Sequence, residues 1–157
     1  MTLDRLVDVT PRDFDELMHW FPDAASVESW GGPGFRYPFT RNTFIADCRW
    51  PHVEARVLKH GDTMLAFGQF YERHRRINLA RLAVNPARRN EGLCGRLVRF
   101  LLAESRHHID RTEYSLFVYR DNAPALRCYQ AAGFAITDYP AGDLLADRCY
   151  YLTRPLD

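Results

Sequence analysis

The segment Val84-Asn85-Pro86-Ala87-Arg88-Arg89-Asn90-Glu91-Gly92-Leu93-Cys94-Gly95 joins an apolar stretch to an amphipathic one, and it holds the residues best suited to chemistry. A turn from strand into helix leaves several backbone N–H groups unpaired and pointing the same way. Together with the positive end of the helix dipole they form a site for an anion. Gly92 and Gly95 carry no Cβ, so a pyrophosphate can come close to the main chain. Pro86 stands where strand pairing must stop. No Gly-Lys-Ser/Thr follows, so this is not a Walker loop, and no GxGxxG opens it, so it is not a dinucleotide fingerprint. Taken alone, the segment also reads as an ordinary strand-to-helix turn.

A second constellation lies at Asn122-Ala123-Pro124-Ala125-Leu126-Arg127-Cys128-Tyr129-Gln130-Ala131-Ala132-Gly133-Phe134. Asn122 suits a helix N-cap. Gly133 suits the left-handed residue that ends a helix, with Phe134 packing back on it. Ala125 permits close approach of a neighbour. Tyr129 shares a helix face with Leu126 and Ala132, which by itself reads as a core aromatic.

The two segments resemble the paired signatures of the GNAT superfamily of acetyl-CoA-dependent N-acetyltransferases, in the family's order and with a strand between them. Val84, Pro86, Arg89 and Gly92 match V-x-P-x-x-[QR]-x-x-G-x-[GA]; Cys94 departs at the last position, where a small residue still suits the turn. Asn122, Ala125, Tyr129, Gly133 and Phe134 match N-x-x-A-x-x-x-Y-x-x-x-G-F. The resemblance implies an α/β fold of GNAT type, a mostly antiparallel central sheet splayed at a cofactor slot, with helices on both faces. It implies direct acetyl transfer in a ternary complex, with no acetyl-enzyme. Leu82, Ala83 and Val84 would offer backbone groups to the pantetheine arm. Arg89, Asn90, Glu91, Gly92, Leu93, Cys94 and Gly95 would hold the pyrophosphate, and Asn122 would stand beside the cofactor. A backbone N–H near Val84 would stabilise the oxyanion. Tyr129 would be the general acid, since a phenol of pKa about 10 keeps a proton to give to a thiolate whose thiol has a pKa of about 8.5. Relatives place a Glu where this chain has Asn78 or Phe117, so the base that activates the amine is missing from both positions. A water relay to Glu72 or His74 is one substitute, and both also read as solvent-exposed hairpin residues. The runner-up reading is a non-catalytic acyl-CoA-binding sensor that uses the same cradle.

These residues need elements to position them. Residues 3–9 alternate apolar and polar as a half-buried strand does. Thr10 and Pro11 start a helix that carries Phe14, Leu17, Met18 and Phe21 on one side. Residues 26–38 are dense in Gly, Pro and aromatics and suit a short helix followed by an irregular loop, and residues 41–49 suit another short helix. Three strands follow at 52–59, 63–73 and 77–84, turning at Gly61-Asp62 and at the basic run around Arg75. Leu93 to about His107 reads as a long amphipathic helix, and 114–119 as a central strand apolar on both faces. Short strands near 134–139 and 148–154 close the chain. The order β-α-α-β-β-β-α-β-α-β-β predicts a mixed sheet in one domain spanning residues 1–157.

Composition bounds what such a chain does. It has 157 residues, enough for a hydrophobic core, and 21 Lys and Arg against 20 Asp and Glu, a net charge of +1. A near-neutral chain is not built as a general nucleic-acid or membrane binder, and Arg73-His74-Arg75-Arg76 reads as a solvated hairpin end. No apolar run approaches the roughly 20 residues of a membrane span. Cys48, Cys94, Cys128 and Cys149 show no CxxC or zinc-finger spacing, so no metal is expected, and scattered cysteines suit a reducing cytoplasm. Cys94 reads as structural rather than nucleophilic. For the acceptor, Trp30, Phe35 and Tyr37, with Asp23 and Glu28 nearby and Glu72 on a later strand, suit the walls of a site for a cationic amine of a small molecule or peptide. Those aromatics equally suit closure of the core at one end. The resemblance leaves room for a homodimer.

Overall fold

The computed structural model describes residues 3–143 and 145–156. The elements in order are β1 (Asp4–Asp8), α1 (Pro11–Met18), α2 (Ala24–Gly31), α3 (Arg41–Asp47), β2 (Glu54–His60), β3 (Thr63–Arg73), β4 (Arg76–Val84), α4 (Leu93–Ser105), β5 (Glu113–Tyr119), α5 (Ala123–Ala131), β6 (Ala135–Thr137) and β7 (Cys149–Pro155). A single 3-10 turn at Pro86–Arg88 follows β4. The strands form one seven-stranded sheet in the order β1-β2-β3-β4-β5-β7-β6. β1 runs antiparallel to β2, and β7 runs antiparallel to both β5 and β6. β4 and β5 run parallel. The mixed sheet with flanking helices is the expected fold class. α2 and α3 are the short helices expected within 26–38 and 41–49, so three helices rather than two precede β2; Thr40 caps α3 by accepting from the Thr43 N–H at 3.2 Å.

The chain packs as two compact units, residues 1–69 with 81–93, and residues 70–80 with 94–157. In the first, Thr10 begins α1 as foreseen, with Asp13 accepting from its backbone N–H at 2.9 Å. That cap directs Phe14 and Leu17, both fully buried, into a core shared with Val27, Phe44, Val57, Met64, Phe67 and Ala83. Every residue of β3 from Met64 to Phe70 is buried, as a strand covered on both faces requires.

In the second unit, β5 is laddered to β7 along its whole length, from Glu113–Pro155 to Tyr119–Cys149. Its pairing with β4 is brief. Among the described residues it joins Ile77 to Tyr114 and Asn78 to Ser115, and goes no further. The buried Ser115 hydroxyl donates to the Asn78 side-chain oxygen at 3.1 Å and holds the strands together at that end. Beyond it Leu116, Phe117, Val118 and Tyr119 pair with β7, leaving the backbone groups of their other edge for something else. Tyr114, almost fully buried, donates its hydroxyl to the Leu102 carbonyl at 2.8 Å and fixes α4 over the strand.

Candidate active site

The turn after β4 is built by local chemistry. Asn85 ties the strand end to β3: its backbone N–H donates to the Leu65 carbonyl at 2.9 Å and its side-chain amide donates to the Met64 carbonyl at 3.0 Å. Its side-chain oxygen accepts from the Ala87 N–H at 2.9 Å and so opens the 3-10 turn in which Pro86 sits first. Arg88 then pairs with Glu91 at 3.0 Å, which offsets the one acidic side chain of the turn. Asn90 and Gly92 both adopt left-handed backbone, with φ of 66° and 73°. A Cβ built on Gly92 would meet nothing within 4 Å, so the side without a side chain is open. α4 begins at the next residue, and its first amides have no carbonyl of their own helix to bond. Unpaired N–H groups at a helix start suit a pyrophosphate. Arg89, Asn90, Glu91 and Gly92 are exposed, Cys94 and Gly95 are half-buried, and Leu93 is buried at 2% exposure. Of the preceding strand, Ala83 is buried while Leu82 and Val84 are half-buried.

Tyr129 is fixed by the two ends of α5. Asn122 caps the helix by accepting from the Ala125 N–H at 3.3 Å. At the other end Gly133 has φ of 97°, the Gly133 N–H donates to the Gln130 carbonyl at 3.0 Å, and the Phe134 N–H donates to the Tyr129 carbonyl at 3.1 Å. This pair of bonds is the Schellman closure that a glycine permits. A Cβ at Gly133 would also meet Arg154 Nε at 2.8 Å. Tyr129 is 7% exposed, and burial pushes its phenol above the usual tyrosine range. Among the described residues no side-chain hydrogen bond engages its hydroxyl. The group is a protonated donor without a competing acceptor.

The cysteines are not all isolated, and that expectation is corrected. Cys94, second residue of α4, is bonded to Cys128, the residue before Tyr129, with their Cα atoms 6.5 Å apart across a sequence separation of 34. Spacing could not reveal this, because only the packing of α4 against α5 brings the two together. Cys48 and Cys149 are free and buried.

The expected acceptor residues stand in differing surroundings. Trp30 stacks on Phe21 and on Phe44 at ring-centre distances of 4.4 and 5.6 Å, and Phe35 packs edge-on to Phe44 at 5.1 Å. Tyr37 is 42% exposed, and its hydroxyl donates to the Pro22 carbonyl at 3.0 Å. Glu72 accepts from Arg111 at 2.8 Å, and that bond holds its carboxyl below the usual range, which weakens it as a base. The side chain at Asn78 is spent on Ser115. Phe117 sits in an aromatic group with Tyr139 and Tyr151, at 5.5 and 4.7 Å. Arg73 lies over the Phe117 ring at 4.3 Å and pairs with Asp143 at 3.1 Å. Of the basic run, Arg76 also has a partner, Glu113 at 3.1 Å, while His74 and Arg75 turn the hairpin with φ of 51° and 60°. The motifs gave no sign of the group of Phe117, Tyr139 and Tyr151, whose members come from separate segments of the chain. Among the described residues no helix is long and apolar enough to cross a membrane.

The sequence profile of the Acetyltransferase (GNAT) family matches residues 15–134. Among solved structures, AAC(6')-Ib in complex with paromomycin and acetyl-CoA superposes with a TM-score of 0.74 at 20% identity, over 97% of this chain and 93% of that one. Spermidine N-acetyltransferase from Vibrio cholerae, with CoA and spermine, gives 0.74 at 13% identity over 97% and 95%. The ribosomal-protein-S18-alanine N-acetyltransferase from Escherichia coli gives 0.67 at 20% identity over 98% and 94%. At these identities the likeness establishes a shared fold.

Proposed function

The chain belongs to the GNAT acetyltransferase family, and from that membership we propose that it moves the acetyl group of acetyl-CoA onto a primary amine of a small molecule or peptide by direct attack. The observation that carries the reading is the left-handed, unobstructed Gly92 at the start of α4, in register with the family's cofactor signature. The backbone of Leu82, Ala83 and Val84 holds the pantetheine arm. The amides from Arg89 to Gly95 hold the pyrophosphate, and Asn122 stands beside the arm at the start of α5. Bound acetyl-CoA supplies an acetyl thioester, an acyl group with a good leaving thiolate.

Tyr129 is the general acid. Its phenol keeps its proton at neutral pH, because burial raises its pKa further from that of the thiol it must serve. A main-chain N–H near Val84 polarises the acyl oxygen. The amine gives up its proton through water to Glu72 or His74. The bond from Arg111 weakens Glu72 for that task. Tyr37 is the expected acceptor aromatic with most surface to offer. The test is release of free CoA thiol from acetyl-CoA with a panel of amines. Turnover with at least one amine supports the reading. CoA binding without turnover, indifferent to Tyr129→Phe, would instead make the chain a sensor.

A further inference from the structure

Arg81 is out of place by three independent measures. It lies within β4, yet its φ is 51°, left-handed backbone that a non-glycine residue in a strand avoids. It is half-buried, and its Nε is covered by protein with no hydrogen-bond partner. Among the described residues it makes no ion pair. Its one bond runs from Nη1 to the side-chain oxygen of Gln69 at 3.2 Å. Gln69 is fully buried and neutral, and its amide donates to the Cys48 carbonyl at 2.8 Å, so it holds Arg81 in place without balancing the charge.

Asp47 feels the charge of Arg81, yet among the described residues the two form no ion pair. The Asp47 carboxylate is taken by Arg36, which donates from its backbone N–H at 2.9 Å, from Nη2 at 2.9 Å and from Nε at 3.2 Å. The Cys48 thiol is pushed up to about 12 by burial, against the pull of Arg81, and carries no charge at neutral pH. A half-buried cation held in left-handed backbone, whose nearby carboxylate, Asp47, is bonded to Arg36, is a costly arrangement for a fold to keep, and one that an incoming anion would relieve. Its place sharpens the point: Leu82 follows it directly, the first of the residues assigned to the cofactor arm.

We propose that Arg81 receives a carboxylate of the acceptor, so that the substrate is an amine bearing a carboxylate close to its amino group, an α-amino acid or a small derivative of one. A fork of guanidinium donors matches a carboxylate and fixes the amine at a set distance from it. The same charge discriminates against polyamines and other polycations, which bring nothing to pair with it. This inference rests on the acetyltransferase reading above.

The experiment measures kcat/KM with acetyl-CoA for matched acceptors that differ only in the carboxylate: phenylalanine against phenethylamine, methionine against its decarboxylated amine, and spermidine as the polycation. The wild-type protein should favour the carboxylated member of a pair by about 30-fold, the worth of a charge-assisted pair of bonds. Arg81→Gln should lose that factor on the carboxylated acceptor and leave the decarboxylated one nearly unchanged. Arg81→Lys, which keeps the charge in case the first variant folds poorly, should retain a reduced preference. CoA affinity by calorimetry should be the same in all three proteins. A wild-type preference for spermidine or the decarboxylated amines overturns the proposal, and so does an equal loss on both members of a pair or a loss of CoA affinity. If CoA binds but no amine yields free thiol, the transferase reading fails first and this one with it.

Discussion

Gly92 and Arg81 lie on one run of chain, and both are left-handed, with φ of 73° and 51°. At Gly92 the conformation is nearly free, since glycine has no Cβ to clash, and the space a side chain would fill is open. At Arg81 the same region costs about 1–3 kcal/mol, and the side chain is bonded to Gln69, whose own amide donates to the Cys48 carbonyl. The first position presents main-chain amides by removing a side chain. The second presents a side chain by bending the main chain. On the proposed function, a backbone site of the first kind would serve the cofactor and a side-chain site of the second kind would choose the acceptor.

If that contrast is right, substitutions should separate into effects on rate or choice and effects on cofactor affinity. The largest expected effect is at Tyr129. Tyr129→Phe should lower kcat about 100-fold or more with CoA affinity unchanged by calorimetry; a matching loss of affinity would break the contrast. The pH profile sharpens it. The phenol's pKa is raised in the fold, so its neutral form is the favoured one, present in full below its unfolded value of about 10 and lost only as pH rises through the higher folded value. Any fall in rate between pH 7 and about 10 should therefore belong to another group and persist in Tyr129→Phe. Next comes the loss of about 30-fold on carboxylated acceptors in Arg81→Gln.

Substitutions in the cradle should act the other way. Gly92→Val forces a β-branched residue into left-handed backbone and should weaken CoA about tenfold, with kcat at saturation within about twofold. Gly92→Asn should keep most of the affinity, because asparagine tolerates the conformation that Asn90 already adopts and no atom stands in its way. Equal losses in the two variants would mean that bulk, not backbone, is what the position excludes. The smallest effect is Asn122→Ala, which removes the α5 cap, costs about 1 kcal/mol and should lower Tm by about 3 °C.

What could be read beforehand divides along the same line. The Asn122 cap, the Gly133 closure, the Thr10 start and the turn at Pro86 and Gly92 are written in residues whose local preferences dictate geometry, and β3 begins and ends where its pattern predicts. Strand edges were less legible. β2 starts at Glu54 rather than His52, because the Val53 N–H is spent on the Arg49 carbonyl. The brief pairing of β4 with β5 follows from no pattern in either strand. Nothing in the sequence of β4 singles out Arg81, whose left-handed backbone and bond to Gln69 on β3 belong to the folded chain. The Phe35 and Trp30 rings could not be divided between core and acceptor wall by type alone, since an aromatic side chain serves both.

The bond between Cys94 and Cys128 closes a covalent ring that holds most of α4, all of β5 and the first two thirds of α5. The exposed residues Arg106, His107 and His108 lie on that ring. A protease that nicks the chain there should yield a protein still running as one band on a denaturing gel, and two pieces only after a reductant is added.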